Sequence, residues 1–347
     1  MGKKPRNKTL SPADWENRTD DEILAIRVRD LGLQIRGTAL ETCIGRLYSE
    51  LEDSGIKFRP GCYLADEWLC PDKVPIIGIP FCLAHPRLKR IEQKMMLEVE
   101  GGTEEECMKL LRHECGHAIN YAYYLYKRTR WRQLFGPFTA EYKSSYPAKP
   151  YSRRYVMHLA DNYAQCHPDE DFAETFAVWL TPESNWHEKY KNWPAMKKLQ
   201  YVDNLALKIG DVPPENTARD KPWSAARMTS TLAVHYERKR KHLGDDFPGY
   251  YDPSLLALFG PSRDGATPVK AAAFLRSHRR YIVSSVSRWT GQRKYDISQL
   301  LGKLIRRCRA LDLHVRTSEN ETMIAVTSFV TAAASKVLKH EDANQRK

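Results

Sequence analysis

Residues 113–117 read His113-Glu114-Cys115-Gly116-His117. Two histidines four apart fall on one face of an α-helix, about one turn apart, so both imidazoles can reach a single metal ion. Glu114, next to the first histidine, sits where a carboxylate can accept a proton from a metal-bound water. Three fixed positions in five also recur by chance, so the surroundings must carry the reading. Thr103 and Glu106 form a Thr-x-x-Glu capping box just after the breaker Gly101-Gly102. From there Cys107, Leu110, Leu111, Ala118, Ile119 and Ala122 recur with helical spacing. The motif therefore falls in mid-helix, where the geometry is required. Gly116 lowers helix propensity by roughly 1 kcal/mol relative to Ala, which fits a place where another element packs closely. Cys115 points about 200° around the helix from His113 and is expected to face the core.

A catalytic zinc takes three protein ligands and keeps its fourth position for water, so a third ligand is needed. Downstream lies His167-Pro168-Asp169-Glu170-Asp171-Phe172-Ala173-Glu174-Thr175-Phe176-Ala177-Val178-Trp179-Leu180. Pro168 suits a first helical turn, and the acids at 169–171 suit its positive end. Phe172, Phe176 and Trp179 make an apolar stripe, while Glu170 and Glu174 share another face. Glu170 is then a candidate metal ligand, and Glu174 a candidate partner for the free ring nitrogen of a histidine ligand. Hydrolysis also needs a group to stabilise the oxyanion. The candidates are Tyr163, His158 and Tyr155. Cys166 and His167 are nearer the site than most, but read as local packing at the start of a helix.

These stretches, with Ile79-Pro80-Phe81-Cys82-Leu83-Ala84-His85-Pro86-Arg87-Leu88 upstream, resemble the bacterial putative zinc-binding metallopeptidases, within the broader gluzincin group. The similarity runs from about Asp21 to about Asp211. In gluzincins the third ligand is the first glutamate of a Glu-x-x-x-(Asp/Glu) helix. Carried over, the resemblance implies Glu170 as ligand and Glu174 as its supporting neighbour, and it favours Tyr163, since similar gluzincins place a tyrosine at that spacing. With the HExxH chemistry it points to a Zn2+ cofactor, Glu114 as general base and a protein or peptide as the expected substrate, although the family name itself brings no particular substrate. It also implies an α+β, zincin-like fold: a small, mostly antiparallel sheet, the HExxH helix and a second zinc-ligand helix. One strand of that sheet would be an edge able to pair with substrate backbone.

At 347 residues with 42 % hydrophobics, two domains with ample cores are expected. No apolar run approaches the ~20 residues that span a bilayer, so no integral membrane segment is expected. The basic start Met1-Gly2-Lys3-Lys4-Pro5-Arg6 lacks an apolar run after it, unlike a secretory signal. Arg6 also stands where myristoylation wants Ser or Thr. Residues 1–18 read as a flexible basic leader. Eight scattered cysteines then fit a reduced, cytoplasmic chain. Cys62, Cys70, Cys82 and His85 could form a structural zinc site, but their gaps match no standard knuckle, and buried thiols are the better reading.

The metallopeptidase domain is expected over 19–212. Helical patterns cover 20–54, and strand candidates are 56–58, 63–68, 74–82 and 94–99. A Pro-, Tyr-, Ser- and Lys-rich loop over 131–154 joins the two metal-binding segments. Trp186, Trp193 and Tyr201 read as packing aromatics, and Pro213-Pro214 marks a boundary. From residue 215 on there are 24 Lys/Arg against 13 Asp/Glu, nearly all of the chain's net charge of +12. Leu300, Leu301, Leu304 and Ile305 form an apolar stripe against those charges, so 213–347 is expected to be a basic, helical C-terminal domain. Such a surface fits nucleic acid or another acidic partner, or is a solvated helix face. The alternative function is accordingly a nucleic-acid- or acidic-partner-binding protein whose zinc site is structural or inactive.

Overall fold

The computed structural model describes residues 10–142, 149, 152–240, 251–261 and 269–341. Residues 1–9 of the expected leader and parts of the 131–154 loop lie outside them. Within residues 10–18 of the expected leader, Trp15 is fully buried, donating its indole N–H to the Leu31 carbonyl at 3.0 Å. The chain divides into two compact units, Met1–Met95 with Val99–His235, and Met96–Glu98 with Tyr236–Lys347.

In the first unit the described helices are α1 (Asp20–Leu24), α2 (Ala39–Asp53), α3 (Pro86–Met96), α4 (Glu104–Ala122), α5 (Thr129–Phe135), α6 (Pro168–Leu180), α7 (Trp186–Lys189) and α8 (Met196–Ile209). Helix α9 (Leu232–Arg240) runs across the division, as does α3 at its last residue, Met96. Sequence sets their starts. Thr38 caps α2, accepting from Leu40 N at 3.2 Å. The expected capping box opens α4: Thr103 Oγ1 accepts from Glu106 N, and Glu106 Oε2 accepts from Thr103 N, each at 3.2 Å. Helix α2 buries Leu40, Ile44, Leu47 and Leu51 at helical spacing. Glu50 from its buried face meets Arg112 of α4 in a two-pronged ion pair at 2.8 and 2.7 Å.

The sheet corrects the antiparallel expectation. Its two strands, β1 (Gly61–Ala65) and β2 (Ile76–Pro80), are parallel, with Gly61 opposite Ile76 and Ala65 opposite Pro80. The connection explains the direction. After β1 the chain crosses to the far edge of β2, where Leu69 pairs antiparallel with Gly78 through two hydrogen bonds of 3.2 and 2.7 Å. It then turns through Pro71–Val74 and enters β2 alongside β1. The antiparallel position is thus filled by the connecting segment itself. Gly78 leaves room for it, since a Cβ there would stand 2.6 Å from the Leu69 side chain. Among the described residues, 56–58 joins no ladder, and 94–96 closes α3 instead of starting a strand. Leu88, Ile91, Glu92 and Met96 are buried at helical spacing behind Pro86, a longer period than the Met95-Leu97-Val99 alternation. The unit is therefore mostly helical.

The segment after Pro213-Pro214 stays with the first unit: Asn216 N donates to Ala122 O at 2.9 Å, and Val28 N to Ser230 O at 3.1 Å. The second unit is built among the described residues from α10 (Asp252–Leu258), α11 (Ala271–Ser277), α12 (Arg279–Thr290), α13 (Lys294–Ala310) and α14 (Glu319–Glu341). The α13 stripe Leu300, Leu301, Leu304 and Ile305 is buried, packed with Ile282, Val286 and Val330. The basic side chains of α13 are exposed or half-buried, while Asp296 is buried and paired with Arg293. No helix is long and apolar enough to cross a membrane, among the described residues.

Candidate metal centre

Helix α4 carries His113, Glu114 and His117 at mid-length, all buried. Helix α6 crosses it with Pro168 in its first turn and His167 as its cap, the ring Nδ1 accepting from Asp169 N at 3.1 Å. The two helices touch at Gly116. A Cβ there would lie 2.7 Å from the Ala173 Cα and 3.0 Å from the Ala173 carbonyl oxygen. Only glycine permits that approach, which accounts for the propensity cost in the sequence.

The approach brings three atoms together. His113 Nε2 lies 3.1 Å from Glu170 Oε2, His117 Nε2 lies 3.2 Å from the same oxygen, and the two Nε2 atoms are 3.2 Å apart. The opposite ring nitrogens are both engaged. His113 Nδ1 bonds Glu174 Oε1 at 2.9 Å, and His117 Nδ1 bonds Asp169 Oδ2 at 3.0 Å. With Nδ1–H donated to a carboxylate, each Nε2 presents a lone pair. Two such lone pairs and a carboxylate oxygen converge on one point. Ligands around a tetrahedral ion with bonds of about 2.0–2.1 Å stand roughly 3.3–3.4 Å apart, close to these separations. Among the described residues this is the one group of three or more His, Cys, Asp or Glu side chains placed to hold a metal ion. Two imidazoles and one carboxylate suit zinc chemically.

The electrostatics agree. Burial opposes charge on His113, yet the hydrogen bonds from Glu170 and Glu174 prevail and carry it to about 10. Burial likewise opposes charge on His117, and Asp169 and Glu170 hold it well above its ordinary value. Glu170 is buried too, but the two imidazoles hold its carboxyl far below the usual range. A cavity this favourable to positive charge on its nitrogens favours a cation at the same point. Burial pushes Glu114 upward, with the imidazoles opposing.

The support around the ligands was only partly legible in the sequence. Glu174 is where it was expected, its second oxygen accepting from Leu159 N at 2.9 Å. Asp169 was read only as a helix-start acid, yet it holds His117 and accepts from Asn120 Nδ2 and the Tyr121 hydroxyl, each at 2.6 Å. Tyr142 was missed: its hydroxyl donates to Glu170 Oε1 at 3.1 Å, and its ring stacks on His167 at 3.8 Å. The position of Tyr121, four after His117, was the available signal; nothing in the sequence marked Tyr142. Tyr163 lies against the site, its ring 5.8 Å from that of His113. The alternates are engaged elsewhere: His158 Nε2 donates to Lys109 O at 2.9 Å, and the Tyr155 ring faces the Lys198 ammonium at 4.4 Å. His167 Nε2 donates to Ala140 O at 2.9 Å, so that side chain is used in capping. Cys115 is in the core. Cys62 and Cys70 donate to the Pro60 and Val74 carbonyls, and no second metal group is assembled among the described residues.

Residues 106–193 match the family described as putative zinc-binding metallo-peptidase. That span contains the three converging residues, the whole of α6 and all of α4 but its first two residues. No curated protein and no solved structure matches the chain. The family match stops short of the basic C-terminal region, so the expectation of a nucleic-acid partner gains no support from it.

Proposed function

We propose that this chain is a zinc-dependent peptidase, with His113, His117 and Glu170 holding the ion and Glu114 as general base. The observation that carries the reading is the convergence of two imidazole lone pairs and a carboxylate oxygen at 3.1–3.2 Å while both Nδ1 atoms are held by carboxylates. Zinc bound there supplies Lewis acidity, lowering the pKa of a coordinated water and polarising a carbonyl. Glu114 takes a proton from the attacking water and passes it to the leaving amine. Tyr163 donates a hydrogen bond to the oxygen that gains charge. Glu174 and Asp169 fix the ring tautomers, and Tyr142 occupies the second oxygen of Glu170, so that a single oxygen faces the histidines.

Two measurements on the full-length protein test this. Metal analysis should find one zinc per chain. Glu114→Gln should keep that zinc while hydrolysis of an unstructured protein substrate falls by about 10²–10⁴-fold. A wild-type protein that takes up no zinc, or a fully active Glu114→Gln protein, would overturn the proposal.

A further inference from the structure

Beside the ligand helices lies a cavity of about 740 Å³, within the range of pockets that hold small ligands. None of His113, His117 or Glu170 lines it, but the groups behind them do. Tyr142, which donates to Glu170, and Asp169 and Tyr121, which support His117, form its inner wall. It therefore shares a wall with the supports of the metal ligands, while Glu114 and Tyr163, like the ligands, do not line it. Its side wall is aromatic: Tyr126 and Phe138 stack at 4.2 Å, and Phe138 meets Tyr121 edge-on at 6.2 Å.

The charges at this cavity do not balance. Asp72 is matched by Lys73 at 2.8 Å, and Asp169 is committed to His117, Asn120 and Tyr121. Lys127 and Arg132 also line the cavity. The Lys127 ammonium stands 3.7 Å over the Tyr124 ring, which fixes its place without neutralising it. Among the described residues neither Lys127 nor Arg132 has a carboxylate partner. Two cations beside an aromatic wall suit a short apolar stem ending in an anion.

We infer that this cavity binds a carboxylate of the peptide substrate, held by Lys127 and Arg132, with its stem against Tyr126 and Phe138. The inference rests on the peptidase reading for the identity of the ligand as a peptide. The carboxylate can come from an acidic side chain or from a chain terminus.

The test uses full-length, zinc-loaded Glu114→Gln protein and fluorescently labelled peptides of one parent sequence. The first has an internal Glu and an amidated C-terminus, the second has Gln in its place, and the third has Gln and a free C-terminus. Either the first or the third should bind at least about tenfold more tightly than the second, and which one does so identifies the source. The double charge reversal Lys127→Glu with Arg132→Glu should erase the difference, and the milder Lys127→Gln with Arg132→Gln should reduce it, with far-UV circular dichroism unchanged. Equal binding of the three peptides, no binding of any, or a preference indifferent to both double variants would overturn the inference. Cleavage of the same peptides by wild type reads separately. A preference without cleavage would leave the cavity and remove the peptidase, and cleavage without preference would do the reverse.

Discussion

At the residue scale, each imidazole of the candidate site is aimed by a carboxylate from α6, Glu174 for His113 and Asp169 for His117. Removing that charge while keeping the shape isolates its effect. Asp169→Asn and Glu174→Gln should each weaken zinc binding by about 10–100-fold, read by competition with a chelating dye; unchanged affinity would show that the carboxylates do not support the site. His158 gives a pH prediction. Its partial burial, against which Glu174 and the Lys109 carbonyl work, lowers its pKa from 6.5 to about 4. The neutral ring is the form the fold prefers, so between pH 6.5 and 4 the unfolded chain binds more protons. The stabilisation is then complete above pH 6.5 and is lost as pH falls toward 4. In urea titrations across that window, His158→Gln should show a shallower loss of stability than wild type, and parallel curves would refute the assignment. Helical period puts His113 with His117, and Glu170 with Glu174, on shared faces, which is why these pairs could be read from the sequence, whereas Glu114 stood out only by its place beside His113. Asp169 and Tyr142 were not legible, because the partners of Asp169 lie across a helix crossing and Tyr142 itself lies on a loop, and no local spacing encodes either.

At the scale of the elements, two contacts hold α4 in place. The first is the bare crossing at Gly116. Gly116→Ala would press a methyl group into the Ala173 backbone, which cannot rotate away. Overpacking of this kind costs about 1–3 kcal/mol, and here it should also weaken zinc binding, because the same crossing sets the distance from the histidines to Glu170. A variant as stable as wild type would mean that α6 moves freely. The second is the pair between Arg112 and Glu50. Both side chains are buried, so Glu50→Ala leaves an uncompensated charge and should destabilise by about 3–5 kcal/mol, read as a shift in the urea midpoint. The starts of α4 and α6 could be read from capping chemistry and from Pro168. The direction of the sheet could not, because it depends on whether ten residues after β1 double back or cross over. The Leu69–Gly78 pairing decides that, and a lone glycine in an apolar run does not announce it.

At the scale of the whole molecule, an ion that binds only the folded first unit should stabilise that unit alone. If free zinc is about 100-fold above its dissociation constant, the gain is about 2.7 kcal/mol. Calorimetry of the full chain with zinc and then with a chelator should move one transition, with the transition of the second unit left where it was; two transitions shifting together would contradict this. The basic character of that second unit was plain from composition, and the buried α13 stripe from periodicity, but neither says what the charged surface meets. The bare contact between α4 and α6 has one further consequence, for ion size. The backbone approach at Gly116 fixes the separation of α4 and α6, and Glu174, Asp169 and Tyr142 hold the donor side chains, so the span between the histidine nitrogens and Glu170 has little compliance. Calcium, with bonds of 2.3–2.6 Å and six to eight oxygen ligands, would need that span to widen and two of its nitrogens replaced. Repacking the core elsewhere in the unit should therefore alter stability while leaving the accepted ionic radius unchanged.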